Sequence, residues 1–427
     1  MLKKTIYVVF FLLLFSLQFA VAAPQPLAID LAGDLGGAPY RILVPEDWNG
    51  TLLVYAHGYR DLADHPGEVD NRAADVAPSA ALESVLLAQR YALAGSAYRN
   101  NGWAVSEGIE DLANLTKFFK TEVGVPKQTI LWGFSMGTVI GFESMERYQN
   151  LYDGALCACA VGAGASQSWD SAGDLALAYD ALFGFPQNWG TPGDVRDDLD
   201  FESEVQPKLF SEVSNPANYP KFEFIRLVVG TPGRGITPPA PPNFYPNWIF
   251  TDMFFSTEAR AELERRAFGP VVQNLNHFYN LTDAEKAYLI ALGVPAPVIE
   301  NWLATLNAGR TFSPPSQSRD YLRRNADYTG RITNPVLTLH TLYDPLVTVS
   351  QEREYFETVA AARRTRYLYQ AYTNGNGHCS FTGEQLIASI TAISGWVKNK
   401  NKPTAANFPT ALGFLPESFV PPPMNQP

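Results

Sequence analysis

Apolar runs and amphipathic stretches alternate along the first third of the chain. Tyr40-Arg41-Ile42-Leu43-Val44 and Thr51-Leu52-Leu53-Val54-Tyr55-Ala56 read as two strands, and the turn between them closes on Asn49-Gly50, a strong turn signal. A helical stretch around 80–90 precedes a short strand from Tyr91 to Ala97. Ser106 is a candidate N-cap for a helix through Lys120, on which Leu112, Leu115, Phe118 and Phe119 recur at helical spacing. Thr129-Ile130-Leu131-Trp132 is the continuous apolar run of a buried parallel strand, Met136 to Tyr148 can run as one helix, and Gly154 to Val161 is apolar again. Strands alternating with helices at this spacing predict right-handed βαβ units. The fold class is therefore α/β, a mostly parallel sheet covered by helices on both faces.

The alternation breaks between about 165 and 330. This region is rich in Pro, Trp and Phe, yet it holds helical segments at Gly173 to Phe183, Thr257 to Ala267, Thr282 to Leu292 and Pro297 to Asn307. A structureless loop of this length does not fit inside a compact domain, so 165–330 reads as an inserted, mostly helical cap. Its entry follows a strand that ends beside the candidate site, which predicts a cap over the carboxyl edge of the sheet. The sheet pattern resumes at Asn334-Pro335-Val336-Leu337-Thr338-Leu339-His340. A helix from Ser350 to Ala362 and a strand from Thr365 to Tyr372 follow. A last helix opens on the capping box Thr382-Gly383-Glu384-Gln385 and runs to about Lys398. The core thus spans 23–164 and 331–400, and the proline-rich tail, 401–427, carries no predicted element.

The 427 residues, 46% of them hydrophobic, suffice for a large buried core. Met1 to Ala22 reads as an export signal: Lys3 and Lys4, an apolar stretch from Ile6 to Phe19, then Ala20-Val21-Ala22 as a cleavage site. Cleavage after Ala22 implies a secreted or periplasmic protein, and no later run is apolar enough to anchor it in a membrane. The formal net charge of −11 argues against nucleic acid and anionic membranes as partners. Three cysteines, with no C-x-x-C or H-E-x-x-H pattern, suggest neither a disulfide scaffold nor a metal site, and no cofactor is indicated.

The chemistry centres on Gly133-Phe134-Ser135-Met136-Gly137, a G-x-S-x-G pattern between an apolar strand and a helix. A serine hydroxyl is a poor nucleophile unless it is exposed, bonded to a base and placed beside amide donors. A sharp strand-to-helix turn exposes Ser135, and glycines must flank it because a Cβ there would strike the neighbouring strand or helix. Of five histidines, His57 precedes the elbow, His65 lies in a polar loop, His277 in the cap and His340 within a strand. His378, in the flexible loop Asn374-Gly375-Asn376-Gly377-His378-Cys379, is left as the candidate base. Asp344, just beyond the strand through His340, is the candidate carboxylate, since side chains at the carboxyl ends of parallel strands converge. Two amides should hold an oxyanion: the N–H of Met136 and that of Tyr59 in the His57-Gly58-Tyr59 loop, which His57 braces.

Together, His57-Gly58, Gly133-Phe134-Ser135-Met136-Gly137, Leu342-Tyr343-Asp344-Pro345 and Gly377-His378 resemble the α/β-hydrolase superfamily over about 40–165 and 331–398. The Asn334-Pro335-Val336 entry and the Gly-His ending are similar to secreted esterases and to prolyl-oligopeptidase-type or tripeptidyl-type peptidases. The cap resembles neither, and the cysteine before the nucleophile of tannase and feruloyl esterase relatives is missing. The resemblance implies a serine hydrolase acting on a small-molecule ester through an acyl-enzyme. The alternative is an exopeptidase acting on a peptide with the same triad. An exopeptidase needs a carboxylate for the free amine, with Glu202, Glu204 and Glu223 of the cap as candidates. In an oxidising compartment Cys379, next to His378, is expected to pair with Cys159. Cys157 and Cys159 would share one face of their strand, Cys159 being nearer the carboxyl edge, and Cys157 would stay reduced.

Overall fold

The computed structural model describes residues 26–233 and 248–424, so the predicted export signal lies outside the described residues. The chain opens with an antiparallel hairpin of β1 (Leu27–Leu35) and β2 (Ala38–Pro45), joined through Gly36 and Gly37 at φ 68° and 93°. There follow β3 (Thr51–Ala56), α1 (Ala80–Ala88), β4 (Ala92–Ser96), α2 (Val105–Glu122), β5 (Gln128–Phe134), α3 (Met136–Arg147) and β6 (Gly154–Ala158). Between β6 and the next sheet strand lie α4 (Gly164–Phe183), a small ribbon of β7 (Gly190–Thr191) and β8 (Asp194–Val195), α5 (Gln206–Val213) and α6 (Tyr219–Val229). That excursion continues with α7 (Trp248–Ser256), α8 (Glu258–Ala267), α9 (Asp283–Ala291), α10 (Ala296–Ala308) and α11 (Ser316–Ala326). The chain then returns through β9 (Val336–Tyr343), α12 (Gln351–Ala361), β10 (Leu368–Asn376) and α13 (Gly383–Asn399).

The main sheet has the order β1-β2-β4-β3-β5-β6-β9-β10, antiparallel at its β1-β2-β4 end and parallel from β4 through β10. Residue alternation divides its apolar groups between two layers. Leu52, Val54 and Leu131 join Leu112, Phe119 and Ile140 of α2 and α3 in one cluster. Leu53, Ile130 and Trp132 join Leu86, Ile390 and Trp396 of α1 and α13 in the other. A parallel sheet covered by helices on both faces, with this strand order and a Ser135 elbow at its centre, is the α/β-hydrolase fold. The first cluster continues into the region between β6 and β9 through Trp169, Phe254 and Leu263, so core and excursion share one interior.

Local readings differ from the structure in instructive places. The Asn49-Gly50 turn does not make a hairpin, because β4 lies between β2 and β3. β1 carried no prediction: as an edge strand it is half exposed and mixes polar with apolar positions. Helix α2 starts one residue before Ser106, with Ala104 at the cap, and the Ser106 hydroxyl donates to Glu107 instead. The expected capping box at Thr382 forms with Gln385, and Thr282 makes a second with Glu285. The tail is not featureless: the Leu415 N–H donates to Tyr372 O at 2.8 Å and the Asn374 N–H to Gly413 O at 3.0 Å. These bonds, with buried Phe408 and Phe414, cover the outer edge of β10, which would otherwise be an open pairing edge.

Candidate active site

Ser135 sits between β5 and α3 at φ 54°, a left-handed conformation that pushes its side chain out of the sheet edge. The turn is possible only because glycines flank it. A Cβ on Gly133 would lie 2.7 Å from Gly137 O, and one on Gly137 only 2.2 Å from Ala56 O. The Ser135 N–H donates to Ala158 O at the end of β6, which ties the elbow to the neighbouring strand. Met136 opens α3, so its N–H belongs to the first turn, whose donors have no partner within the helix. The 57–59 loop lies against the elbow, since a Cβ on Gly58 would sit 3.4 Å from that of Ser135.

The structure brings Ser135, His378 and Asp344 into one line. The Ser135 Oγ lies 2.8 Å from His378 Nε2, and His378 Nδ1 lies 2.7 Å from Asp344 Oδ2. Asp344 is wholly buried, and its other oxygen accepts the N–H groups of Leu346 and Val347 at 3.1 and 2.9 Å. Three donors thus fix the carboxylate. The His378 loop is held from two sides. Gly377, at φ 109°, donates to Tyr343 O, and the Thr341 hydroxyl donates back to Gly377 O. On the other side Cys379 is joined to Cys159, with Cα atoms 5.0 Å apart, while Cys157 is free and buried. The two cysteines of the 157–159 stretch do not share a face. β6 ends at Ala158, and Cys159, at φ 50°, turns into the α13 layer while Cys157 packs in the α3 layer.

The other histidines fall away from this line or behind it. His57 is buried, stacks on Tyr98 with ring centroids 3.9 Å apart, and its Nδ1 lies 2.7 Å from Gly58 O. Burial, aided by the Arg60 charge, lowers its pKa to about 3, so the ring is a neutral brace of the 57–59 loop. His65 faces Asp64, and His277 is locked to Asp174 inside the excursion at 2.8 Å. His340 has a role that strand assignment alone could not suggest. Its Nε2 donates to Val347 O at 2.8 Å, which supports the loop whose amides hold Asp344. Its Nδ1 faces Glu352 Oε1 at 3.3 Å; burial disfavours the imidazolium, but the Glu352 bond and charge outweigh it and raise the pKa.

Ser135, Met136 and Tyr59 open on a cavity whose other walls include Trp103, Trp169 and Phe255, with Met424 arriving from the tail. Tyr59 packs edge-on against Phe255, ring centroids 5.2 Å apart. The three candidate acids do not reach this cavity: Glu202 is exposed, Glu204 pairs with Arg196, and Glu223 with Arg226 at 2.8 Å. Among the described residues the carboxyl that lines it is Asp252, which sequence reasoning passed over. Its signal was available: Asp252 is the only charged residue in Trp248-Ile249-Phe250-Thr251-Asp252-Met253-Phe254-Phe255-Ser256.

No protein-family profile matches the chain. It is 22% identical over 404 residues to o-phthalyl amidase of Xanthobacter agilis, covering 84% of this chain and 85% of that protein. Among solved structures it is similar to an esterase from Aspergillus oryzae, at 14% identity and a TM-score of 0.41 over 88% of this chain and 80% of that one. It is likewise similar to epoxide hydrolase VrEH1 of Vigna radiata, at 12% identity and a TM-score of 0.38 over 88% and 100% of the two chains.

Proposed function

We propose that this protein is an exported serine hydrolase that cleaves carboxylic esters through an acyl-enzyme. The observation that carries the reading is the hydrogen-bonded line Ser135–His378–Asp344, 2.8 and 2.7 Å in its two links, opening on a walled cavity. As Ser135 Oγ attacks the ester carbonyl, its proton passes to His378 Nε2, and Asp344 stabilises the imidazolium through Nδ1–H. The Met136 and Tyr59 amides take the oxyanion. Collapse of the tetrahedral intermediate expels the alcohol, which receives the proton from His378. A water then repeats the sequence on the acyl-enzyme with His378 as base, and the acid leaves. No cofactor or metal enters this scheme.

Amide or peptide hydrolysis on the same residues is the second reading, and the relative named as an amidase, aligned over most of the chain, favours it. A fluorophosphonate probe followed by peptide mapping tests the shared mechanism: it should modify Ser135, and labelling elsewhere or none sinks both readings. Comparing p-nitrophenyl esters with aminoacyl p-nitroanilides then separates the two. Ester turnover should dominate; preference for the anilides would move the assignment to a peptidase. Export is part of the proposal, and the secreted protein should begin at Ala23 when its N-terminus is sequenced.

A further inference from the structure

Asp252 is 7% exposed, and its Oδ1 is buried with no hydrogen-bond partner among the described residues. It caps no helix: it lies in the middle of α7, whose Ser256 hydroxyl bonds its backbone carbonyl rather than its carboxyl. Elsewhere in this region buried carboxyls are paired, Asp170 with Arg319 at 2.7 Å and Asp174 with His277 at 2.8 Å. Burying a carboxyl without a partner is costly, and asparagine or leucine would fill the same place at lower cost.

The cavity around Asp252 is also one-sided electrostatically. Among the described residues its lining contains no lysine or arginine, and its rings, Tyr59, Trp169 and Phe255 among them, supply apolar and π surface. Burial, and then the charge of nearby Asp344, raise the Asp252 pKa well above the usual carboxylate range. Alone, the site therefore favours the protonated carboxyl; an arriving cation would favour its ionised form, whereas an anion finds no lysine or arginine partner among the described lining residues. We infer that Asp252 is a specificity-determining residue that receives a protonated amine carried by the substrate, with the aromatic wall taking the amine's apolar body. The substrate class is thus an ester, or an amide, bearing an alkyl- or arylalkyl-ammonium group. This deepens the hydrolase reading and rests on it for the word substrate, but the recognition itself is a matter of binding.

Calorimetric binding of benzylammonium and of benzyl alcohol, which replaces the ammonium by a neutral group of similar size, tests it without turnover. Wild-type protein should bind benzylammonium about tenfold or more tightly than the alcohol, the usual scale for a charged hydrogen bond. In Asp252→Asn that preference should collapse to near parity, and benzylammonium should protect Ser135 from the fluorophosphonate in wild type only. Equal binding of the two ligands by wild type overturns the inference even if Asp252→Asn does not fold. A preference that survives in folded Asp252→Asn overturns it as well, since the cation would then be read by other groups. If Ser135 is never labelled but the ammonium preference follows Asp252, the hydrolase reading fails and the cation site stands.

Discussion

The cavity has two unlike halves. On the sheet side the groups that hold the triad are committed: Ser135 N–H to Ala158, Asp344 to two amides and His378, Val347 O to His340. On the helical side, Asp252 Oδ1 has no hydrogen-bond partner among the described residues, and large rings line the same cavity. A group that must perform one chemical step gains from being fixed before substrate arrives. A group whose partner arrives with the substrate must be left open. The sheet side therefore has the character of chemistry, and the helical side that of selection.

The sharpest way to break this contrast is to remove one group from each half. Ser135→Ala should fold as wild type and lose kcat/KM on a p-nitrophenyl ester by about 10³-fold or more, leaving what binding and oxyanion contacts supply. A mutant keeping more than a tenth of the wild-type rate, with an unchanged melting temperature, would remove Ser135 from the chemistry. Asp252→Asn should instead alter which substrates are preferred. If both changes reduced all rates alike, the division of labour would be wrong.

The same contrast explains what could be read from the sequence. Chemistry on a sheet edge leaves local marks: an apolar run before Gly133, a glycine on each side of Ser135, a glycine before His378. Each follows from a backbone requirement that neighbouring residues must satisfy, so a short window carries it. The helical region has no such rule. Helices α8, α9 and α10 and the second half of α4 were legible, but α5, α6, α7 and α11 were not. α7 is apolar around most of its circumference, so it shows little periodicity, and Asp252 within it looks like an interruption. Its importance depends on which wall α7 forms, and that is set by residues distant in sequence. His340 is similar: its bond to Val347 O depends on the path of 344–347. The opposite facing of Cys157 and Cys159 was missed because the strand ends between them.

A second prediction sharpens the sheet half alone. The Cys159–Cys379 bond joins the residue after His378 to the residue after Ala158, the carbonyl that holds the Ser135 amide. It therefore ties base and nucleophile to one strand end. Cys379→Ser should lower stability by about 2–5 kcal/mol, the usual range for removing a native disulfide. It should also lower kcat by about tenfold, because small displacements of a positioned group are costly. Denaturant midpoints and steady-state kinetics measure the two effects. In wild type only Cys157 should be alkylated after denaturation without reductant; three reactive thiols would show that the bond does not form in solution.

The smallest effect is expected where the two halves meet. Asp61, two residues beyond Tyr59, lies beside Glu258 at the start of α8, and with Glu68 their carboxyl oxygens come within 4.8 Å of one another. Burial, with the mutual charges, raises Asp61 to about 6 and Glu258 to about 9, and the two are joined by a hydrogen bond that requires a proton. A raised carboxyl pKa means that the native state holds protons which the unfolded chain, titrating near the ordinary values of about 4, has already released. The contribution is therefore complete below about pH 4. It is lost as pH rises through about 6 and then about 9, the two values of the coupled pair. Above the higher value two carboxylates face each other across the boundary between the Tyr59 loop and α8. Melting temperature should fall over this window by on the order of a few degrees more in wild type than in Glu258→Gln. The glutamine keeps an oxygen for the Phe201 N–H and offers an N–H to Asp61, with no charge to develop. Parallel pH profiles for the two proteins would mean that the shared proton does not join the halves of this site.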